Sequence, residues 1–304
     1  MKTRRSGLTM IEILVVVGII AILIGLLIPA VHTVQRMAKE TKQKAQFTAI
    51  ELGLAAFKSD FGDYPPSSWF DPSAPGTALQ NYCGAQKLAE AMVGWDLMGF
   101  HPDSAWRADG LNAMGTPNTV YKEPDTLQKR KGRYVDLEIA NAFLLGGGAD
   151  ALFPGTVPPL EPRTYVLCDV FTRTERKIRR LDGKMVSAGT PILYYKANPA
   201  SLLPEPAAWT QTSNCIYDAR DNAPILNLGL VADGALPLAS RRMHDLAPGV
   251  RPGTVSFEYF YYEYIRDIRI QDRRWPVRPD SYLLISAGMD GIYGTEDDIR
   301  NFTR

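Results

Sequence analysis

From Ile13 to Val31 the chain carries no charged or strongly polar side chain, and beyond His32 the pattern changes character. At about 1.5 Å per helical residue the uninterrupted run makes an apolar rod of roughly 28 Å, close to the ~30 Å hydrocarbon core of a bilayer. Further on, Phe47, Ile50, Leu54, Phe57 and Phe61 recur at alternating steps of three and four, the spacing of one helical face. Arg36, Lys39, Lys42, Lys44 and Lys58 fall on the opposite side. The two patterns predict one continuous helix, apolar over 8–31 and amphipathic over 32–61, whose later part lies on a globular head. Gly62-Asp63-Tyr64-Pro65-Pro66 ends it, because glycine supplies a C-cap and the prolines cannot continue a helix.

In the head, 62–304, residues 62–82 read as a Pro/Ser/Gly-rich loop. Leu88, Met92, Trp95 and Met98 predict a helix over Ala85–Met98. Val135, Ile139 and Phe143 predict another over Tyr134–Leu145, closed by three glycines, with turn-rich chain between the two. The block 83–145 is thus expected to be a helical and irregular insertion. From Arg163 the signal turns to strands: Thr164–Phe171, a hairpin of Lys177–Leu181 and Lys184–Ser187 about Asp182-Gly183, then Pro191–Ala197. Asn198–Gly253 is a proline-rich excursion without sustained period. Val255–Ile270 is dense in aromatic and β-branched residues and reads as a strand, and Ser281–Ser286 as the last one. The fold class is α+β, a long N-terminal helix packed on an antiparallel sheet, with sheet and acidic tail occupying 163–304.

With 304 residues, 45% of them hydrophobic, the chain can bury a substantial core. Its net charge is +1 and turns slightly negative without Lys2, Arg4 and Arg5, so no nucleic-acid footprint is expected. Cys83, Cys168 and Cys215 allow one disulfide with a spare thiol, or three buried free thiols. His32, His101 and His244 lie in unrelated contexts. No nucleophile elbow, Walker loop, dinucleotide fingerprint or HExxH motif is present, so an enzyme is not expected. The basic run Arg173–Lys184 reads as a solvated sheet face. Tyr259, Tyr261, Tyr262 and Tyr264 read as core and rim of a sheet.

The one discordant residue in the apolar region is Glu12, near its head. A lone ionised group at bilayer depth costs on the order of 2.5–3.5 kcal/mol, and such residues usually have a partner. A secretory signal peptide, with Ile28-Pro29-Ala30 as its cleavage site, or a plain signal anchor would explain the hydrophobicity and leave Glu12 without a task. The junction Arg4-Arg5-Ser6-Gly7-Leu8-Thr9-Met10-Ile11-Glu12 resembles the class III signal of type IV pilins and type II secretion pseudopilins. The resemblance implies that a prepilin peptidase cuts between Gly7 and Leu8, removing residues 1–7, and methylates Leu8. It makes Glu12 the fifth mature residue and Pro29 a helix-loosening position. Leu8 replaces the commoner phenylalanine, and Met10 stands where leucine is typical. In such a scheme the freed amine of one subunit pairs with Glu12 of another, or of its own helix, so that neither charge is buried alone. Positive charges on both sides of the rod leave its orientation open; the resemblance implies a cytoplasmic N-terminus.

The tail, Gly288-Met-Asp290-Gly-Ile-Tyr-Gly-Thr-Glu296-Asp297-Asp298-Ile299, brings acids together with turn glycines. Hard oxygen ligands in such a loop suit Ca²⁺, although the spacing is not that of an EF-hand. It resembles the C-terminal calcium loop of the major pseudopilins, protein G class, which implies Asp290, Asp297 and Asp298 as ligands. The expectation is therefore a single-pass inner-membrane pseudopilin with its head in the periplasm, polymerising with itself and with minor pseudopilins. An inner-membrane assembly platform with its ATPase would extend the filament, and membrane lipid would surround the stored subunit. A subunit of a surface type IV pilus, and a monomeric anchored calcium-binding domain, are the alternatives.

Overall fold

A computed structural model describes residues 9–68, 82–110, 120–121, 124–155, 157–172, 177–179, 183–207, 214–250 and 257–303. The chain divides into two compact units, 1–42 and 43–304. The first helix, α1, runs unbroken from Met10 to Phe61, through Gly25 and Pro29. In the first unit its described apolar side chains are exposed: Leu14 is 67%, Ile22 66% and Leu26 70% exposed. Arg36 and Glu40 pair across one turn at 2.9 Å further along.

In the second unit the same helix buries Phe47, Ile50, Leu54 and Phe57, the stripe expected from the spacing. These residues share a core with Leu88 and Met92 of α2 (Gly84–Val93) and with one face of a three-stranded antiparallel sheet. The sheet is ordered β5 (Leu193–Lys196), β6 (Tyr282–Ser286), β7 (Ile299–Arg300), with Leu193 opposite Ile285 and Ser286 opposite Ile299. Alternation along the strands sends Tyr194, Tyr282, Leu284 and Ile299 toward the helices. Leu193, Tyr195, Leu283 and Ile285 face a second core, filled by Ile216, Tyr217, Ile225, Leu226, Phe260 and Tyr264. A sheet covered on both sides explains why all five residues of β6 are buried. The arrangement is α+β. Gly53 lets α2 approach closely, since a Cβ there would meet the Met92 sulfur and a Val135 methyl at 2.9 Å.

Strands β1 (Ala142–Leu144) and β2 (Tyr165–Leu167) form one antiparallel pair, and β3 (Lys177–Arg179) with β4 (Met185–Ser187) the expected hairpin. Asp182 and most of the basic run lie outside the described residues; within it Lys177 and Arg179 are exposed and Ile178 is buried.

Three expectations are corrected. The helix predicted to reach Met98 ends at Val93, because Gly94 turns to positive φ and its N–H closes on the Glu90 carbonyl. The helix predicted over Tyr134–Leu145 is a single turn, α3 (Leu137–Ala140). Asn141 then adopts a left-handed conformation and redirects the chain into β1. The strand predicted over Val255–Ile270 is helical from Glu258, with a π turn at Phe260–Tyr264; Val255 and Ser256 lie outside the described residues. Its side chains need more than the two directions a strand offers. Tyr259 donates to the Gly294 carbonyl at 2.8 Å, Tyr261 to the Tyr217 carbonyl at 3.0 Å, and Tyr264 to Asp298. The three cysteines are free and buried, which rules out the disulfide alternative.

The register of the stripe is testable by chemical denaturation of the head. Leu54→Ala, at a fully buried position, should cost roughly 2–5 kcal/mol. Leu52→Ala, on the same helix but 68% exposed, should stay within about 0.5 kcal/mol.

Candidate functional site

Two places carry the chemistry that the sequence singles out. At the start of α1, Thr9 and Glu12 form a reciprocal cap: the Thr9 N–H and hydroxyl donate to Glu12 Oε2 at 2.8 and 2.9 Å. In return the Glu12 N–H approaches Thr9 Oγ1 at 3.4 Å. This is a capping box, a Ser/Thr followed three residues later by an acid. The pattern is plain in the sequence, and the expectation built on Glu12 alone overlooked it. Gly7 and Leu8 lie outside the described residues, as does the Pro29 side chain.

At the tail, the chain leaves β6, turns at Gly288 and returns through Asp297 to β7. Gly288 has φ +64°, and a Cβ on it would collide with the Asp297 carbonyl and carboxylate. Asp297 Oδ2 accepts from the Met289 and Asp290 N–H groups at 2.7 and 2.9 Å, and Oδ1 from the Thr295 hydroxyl at 2.7 Å. Burial opposes ionisation of Asp297, but these hydrogen bonds outweigh it and hold the group below the usual carboxylate range. Asp290, with an oxygen on the Ile292 N–H, is pushed up by burial and by the neighbouring Asp297 charge. The third acid stands elsewhere. Asp298 Oδ2 accepts from the Tyr264 hydroxyl and the Gly294 N–H, while its buried Oδ1 has no hydrogen-bond partner among the described residues. The structure thus joins Asp290 with Asp297 and gives Asp298 to Tyr264. Among the described residues no three His, Cys, Asp or Glu side chains gather to hold a metal ion. As a donor set the Asp290–Asp297 pair suits a hard cation, provided that backbone carbonyls complete the shell.

The type II secretion system core protein G of Pseudomonas aeruginosa is 41% identical to this chain over 64 residues, 21% of this chain and 45% of that protein. Over that stretch the chain is similar to a type II secretion pseudopilin. It spans less than half the length of this curated relative. No family model matches the chain, and no solved structure matches it. The long apolar α1 is consistent with a single-pass anchor of a pseudopilin-like protein, being long and apolar enough to cross a membrane.

Behind the tail lies a feature that periodicity did not signal. Asp169 is fully buried; it accepts from the Thr190 and Phe171 N–H groups at 2.9 and 3.2 Å and from the Ser286 hydroxyl at 2.9 Å. Burial pushes it up to about 7, and Asp298 likewise. Burial, reinforced by the nearby Asp218, takes Asp221 to about 8; its Oδ2 accepts from the Ser67 hydroxyl. Glu90 of α2 is also raised by burial, although the hydroxyls of Tyr82, Tyr121 and Ser104 all donate to it. Within the block 83–145, α2 is thus a core element with every residue buried.

These shifts give a pH dependence of definite sign. An acid whose folded pKa is raised binds its proton longer in the folded state, so its stabilisation is complete below the unfolded value near 4 and is lost as pH rises through the folded value. Asp169, Asp298 and Asp221 place the end of that loss at about 7 to 8. His244, buried and lowered to about 4, acts in the opposite sense only below its unfolded value near 6.5. The melting temperature should therefore rise as pH falls from 8.5 to 6.5. Asp169→Asn, which keeps the shape, should reduce that slope; an unchanged slope would remove Asp169 from the account.

Proposed function

We propose that this chain is a membrane-anchored pseudopilin subunit that polymerises through α1 into a filament of a type II secretion system. The observation that carries the reading is the uncovered rod. Every described side chain from Met10 to Val31 is exposed, and the single charge among them is Glu12. Apolar surface of that length must be covered by lipid or by other helices. In the stored subunit lipid covers it; in the filament, α1 helices of neighbouring copies do. The partial identity to a type II secretion core protein supports the same assignment. The prepilin peptidase, the minor pseudopilins and the inner-membrane platform with its ATPase are the partners this role requires. The N-terminus then faces the cytoplasm and the head the periplasm. Work comes from the ATPase, and this chain is the part that moves.

Glu12 has two tasks in this scheme, and one substitution separates them. Its carboxylate caps α1 through Thr9, a function that Gln performs almost as well at the same position. Its charge pairs with the amine freed when the bond between Gly7 and Leu8 is cut, which Gln cannot do. Glu12→Gln should therefore leave helix content and membrane insertion unchanged while sharply lowering polymer yield in membranes, scored by cross-linking and electron microscopy. Wild-type polymer from Glu12→Gln would reduce Glu12 to a cap. An intact-mass spectrum of the native protein should show the loss of residues 1–7 and one added methyl group on Leu8.

The Asp290–Asp297 pair would hold Ca²⁺ with backbone oxygens of the same loop, the ion supplying the positive charge that two adjacent carboxylates lack. Ligand bound only by the folded state stabilises it by about 2.7 kcal/mol at a hundredfold excess over Kd. Millimolar Ca²⁺ should raise the melting temperature of the chelator-treated protein by several degrees, and Asp290→Asn should abolish the rise. A metal-independent melting temperature would end the calcium assignment.

A further inference from the structure

Polymerisation through the apolar rod leaves one part of α1 without a task. Beyond Val31 the helix carries Arg36, Lys39, Lys42 and Lys44, with Glu40 as the acid among them. Arg36 pairs with Glu40 at 2.9 Å, which removes one cation from the balance. Lys39 is half-buried, Lys42 and Lys44 are exposed, and among the described residues none of the three has a carboxylate within ion-pair reach. In the proposed orientation they stand on the flank that leaves the cytoplasm, where positive charge opposes translocation.

Their arrangement selects the partner. At about 1.5 Å and 100° per residue, these cations fall within roughly 12 Å along the helix axis but spread over roughly 200° of its circumference. Expected opposite the buried stripe, they are instead dispersed: the unbroken helix brings Arg36 and Lys39 onto the line that leads to Ile50. A partner helix is met by a stripe at spacings of three and four along one face. A free phosphate needs donors that converge on a point, and these diverge. A band that is short in height and wide in angle fits a thin layer surrounding the rod. The end of the rod supplies such a layer. Arg36 stands about 8 Å beyond Val31 and Lys39 about 12 Å, against roughly 5–8 Å of headgroups outside the hydrocarbon core. Lys42, about 16 Å beyond Val31, remains connected to that layer by its long side chain and a Debye length of about 8 Å.

We propose that residues 36–44 of α1 form a cationic collar that binds the anionic headgroups of the phospholipids around the rod. The proposal rests on the reading of α1 as a membrane anchor and needs no filament.

The test titrates the full chain, in dodecyl maltoside micelles, with dioleoylphosphatidylglycerol or dioleoylphosphatidylcholine, and counts bound lipid by native mass spectrometry. The anionic lipid should bind about tenfold more tightly or better, since one cation beside an anionic surface is worth about fivefold. Lys39→Gln/Lys42→Gln should weaken the anionic lipid by about fivefold or more and leave the neutral lipid unchanged. Lys58→Gln, about 24 Å beyond Lys42 along the helix, should stay within about twofold of wild type. Lys2, Arg4 and Arg5, ahead of the rod, are common to all variants and drop out of the comparison. Equal affinity for the two lipids, or an unchanged double variant, would overturn the collar. So would displacement of the anionic lipid by inorganic phosphate beyond that caused by ammonium acetate of the same ionic strength, which would leave a site for a free ion only. Carbonate extraction of native membranes separates the two readings. A chain washed out by carbonate fails as an anchor and takes the collar with it, whereas one retained but indifferent to headgroup charge fails as a collar alone.

Discussion

The head depends on burying one stripe of a helix. Phe47, Ile50, Leu54 and Phe57 are within 4% of full burial, and the groups they meet come from distant parts of the chain: Leu88, Met92, Val135, Ile192, Tyr194 and Leu284. Burial of each such side chain is worth roughly 1.5–3 kcal/mol, enough that the stripe fixes where α2 and the sheet must lie. Polar contacts then set the register. Gln46 donates to the Ile139 and Cys168 carbonyls at 2.8 and 2.9 Å, and Gln43 accepts from the Val170 N–H at 2.9 Å. Glu51 takes hydrogen bonds from both Arg278 and Asn301. Gln43 and Gln46 thus supply partners to backbone groups beside the apolar stripe, while Glu51 ties two side chains to the helix.

The sheet itself is small, three strands of four, five and two residues, and could not stand with one face in water. Its second face is closed by the excursion after β5 and by the aromatic turn Phe260–Tyr264. The same turn reaches the acidic tail through Tyr264 and Asp298, so the tail is tied into this second core. Asp169 backs the tail from the other side through Ser286. Buried acids here accept hydrogen bonds from backbone and hydroxyl groups, which favour the charged form, but at Asp169, Asp298 and Asp221 loss of solvent outweighs those bonds and raises the affinity for protons.

Legibility in the sequence followed the strength of local pattern. The helix 10–61, its buried stripe, its stop at Gly62, the hairpin around Gly183 and strands β5 and β6 were all readable from periodicity and turn residues. What failed were segments whose structure is decided by distant partners. Val255–Ile270 has strand composition, yet its tyrosines turn into a helix because the Tyr217 carbonyl, the Gly294 carbonyl and Asp298 surround them. Tyr134–Leu145 has helical spacing, yet Asn141 breaks it and its side-chain amide bonds the Asp169 carbonyl at 2.8 Å. In the 83–145 block the spacing signalled α2 but not its full burial, which rests in part on distant groups such as Asn222, whose amide oxygen accepts from the Ala85 N–H at 2.8 Å. At the candidate site, Asp290, Asp297 and Asp298 were readable as one acidic cluster among turn glycines, with Asp297 and Asp298 as its adjacent pair. The separate fate of Asp298 was not, since no local rule places Tyr264 beside it.

The joint of Glu51 with Arg278 and Asn301 has a mechanical consequence. Between Gln43 and Phe61 the helix lays one face along roughly 27 Å of the head, so a tug along its axis meets the aromatic knobs and this ionic joint in parallel rather than one after another. Elements sheared side by side share the strain, whereas elements peeled in sequence fail singly. The helix is thus a handle that would sooner carry the whole head with it than slide free.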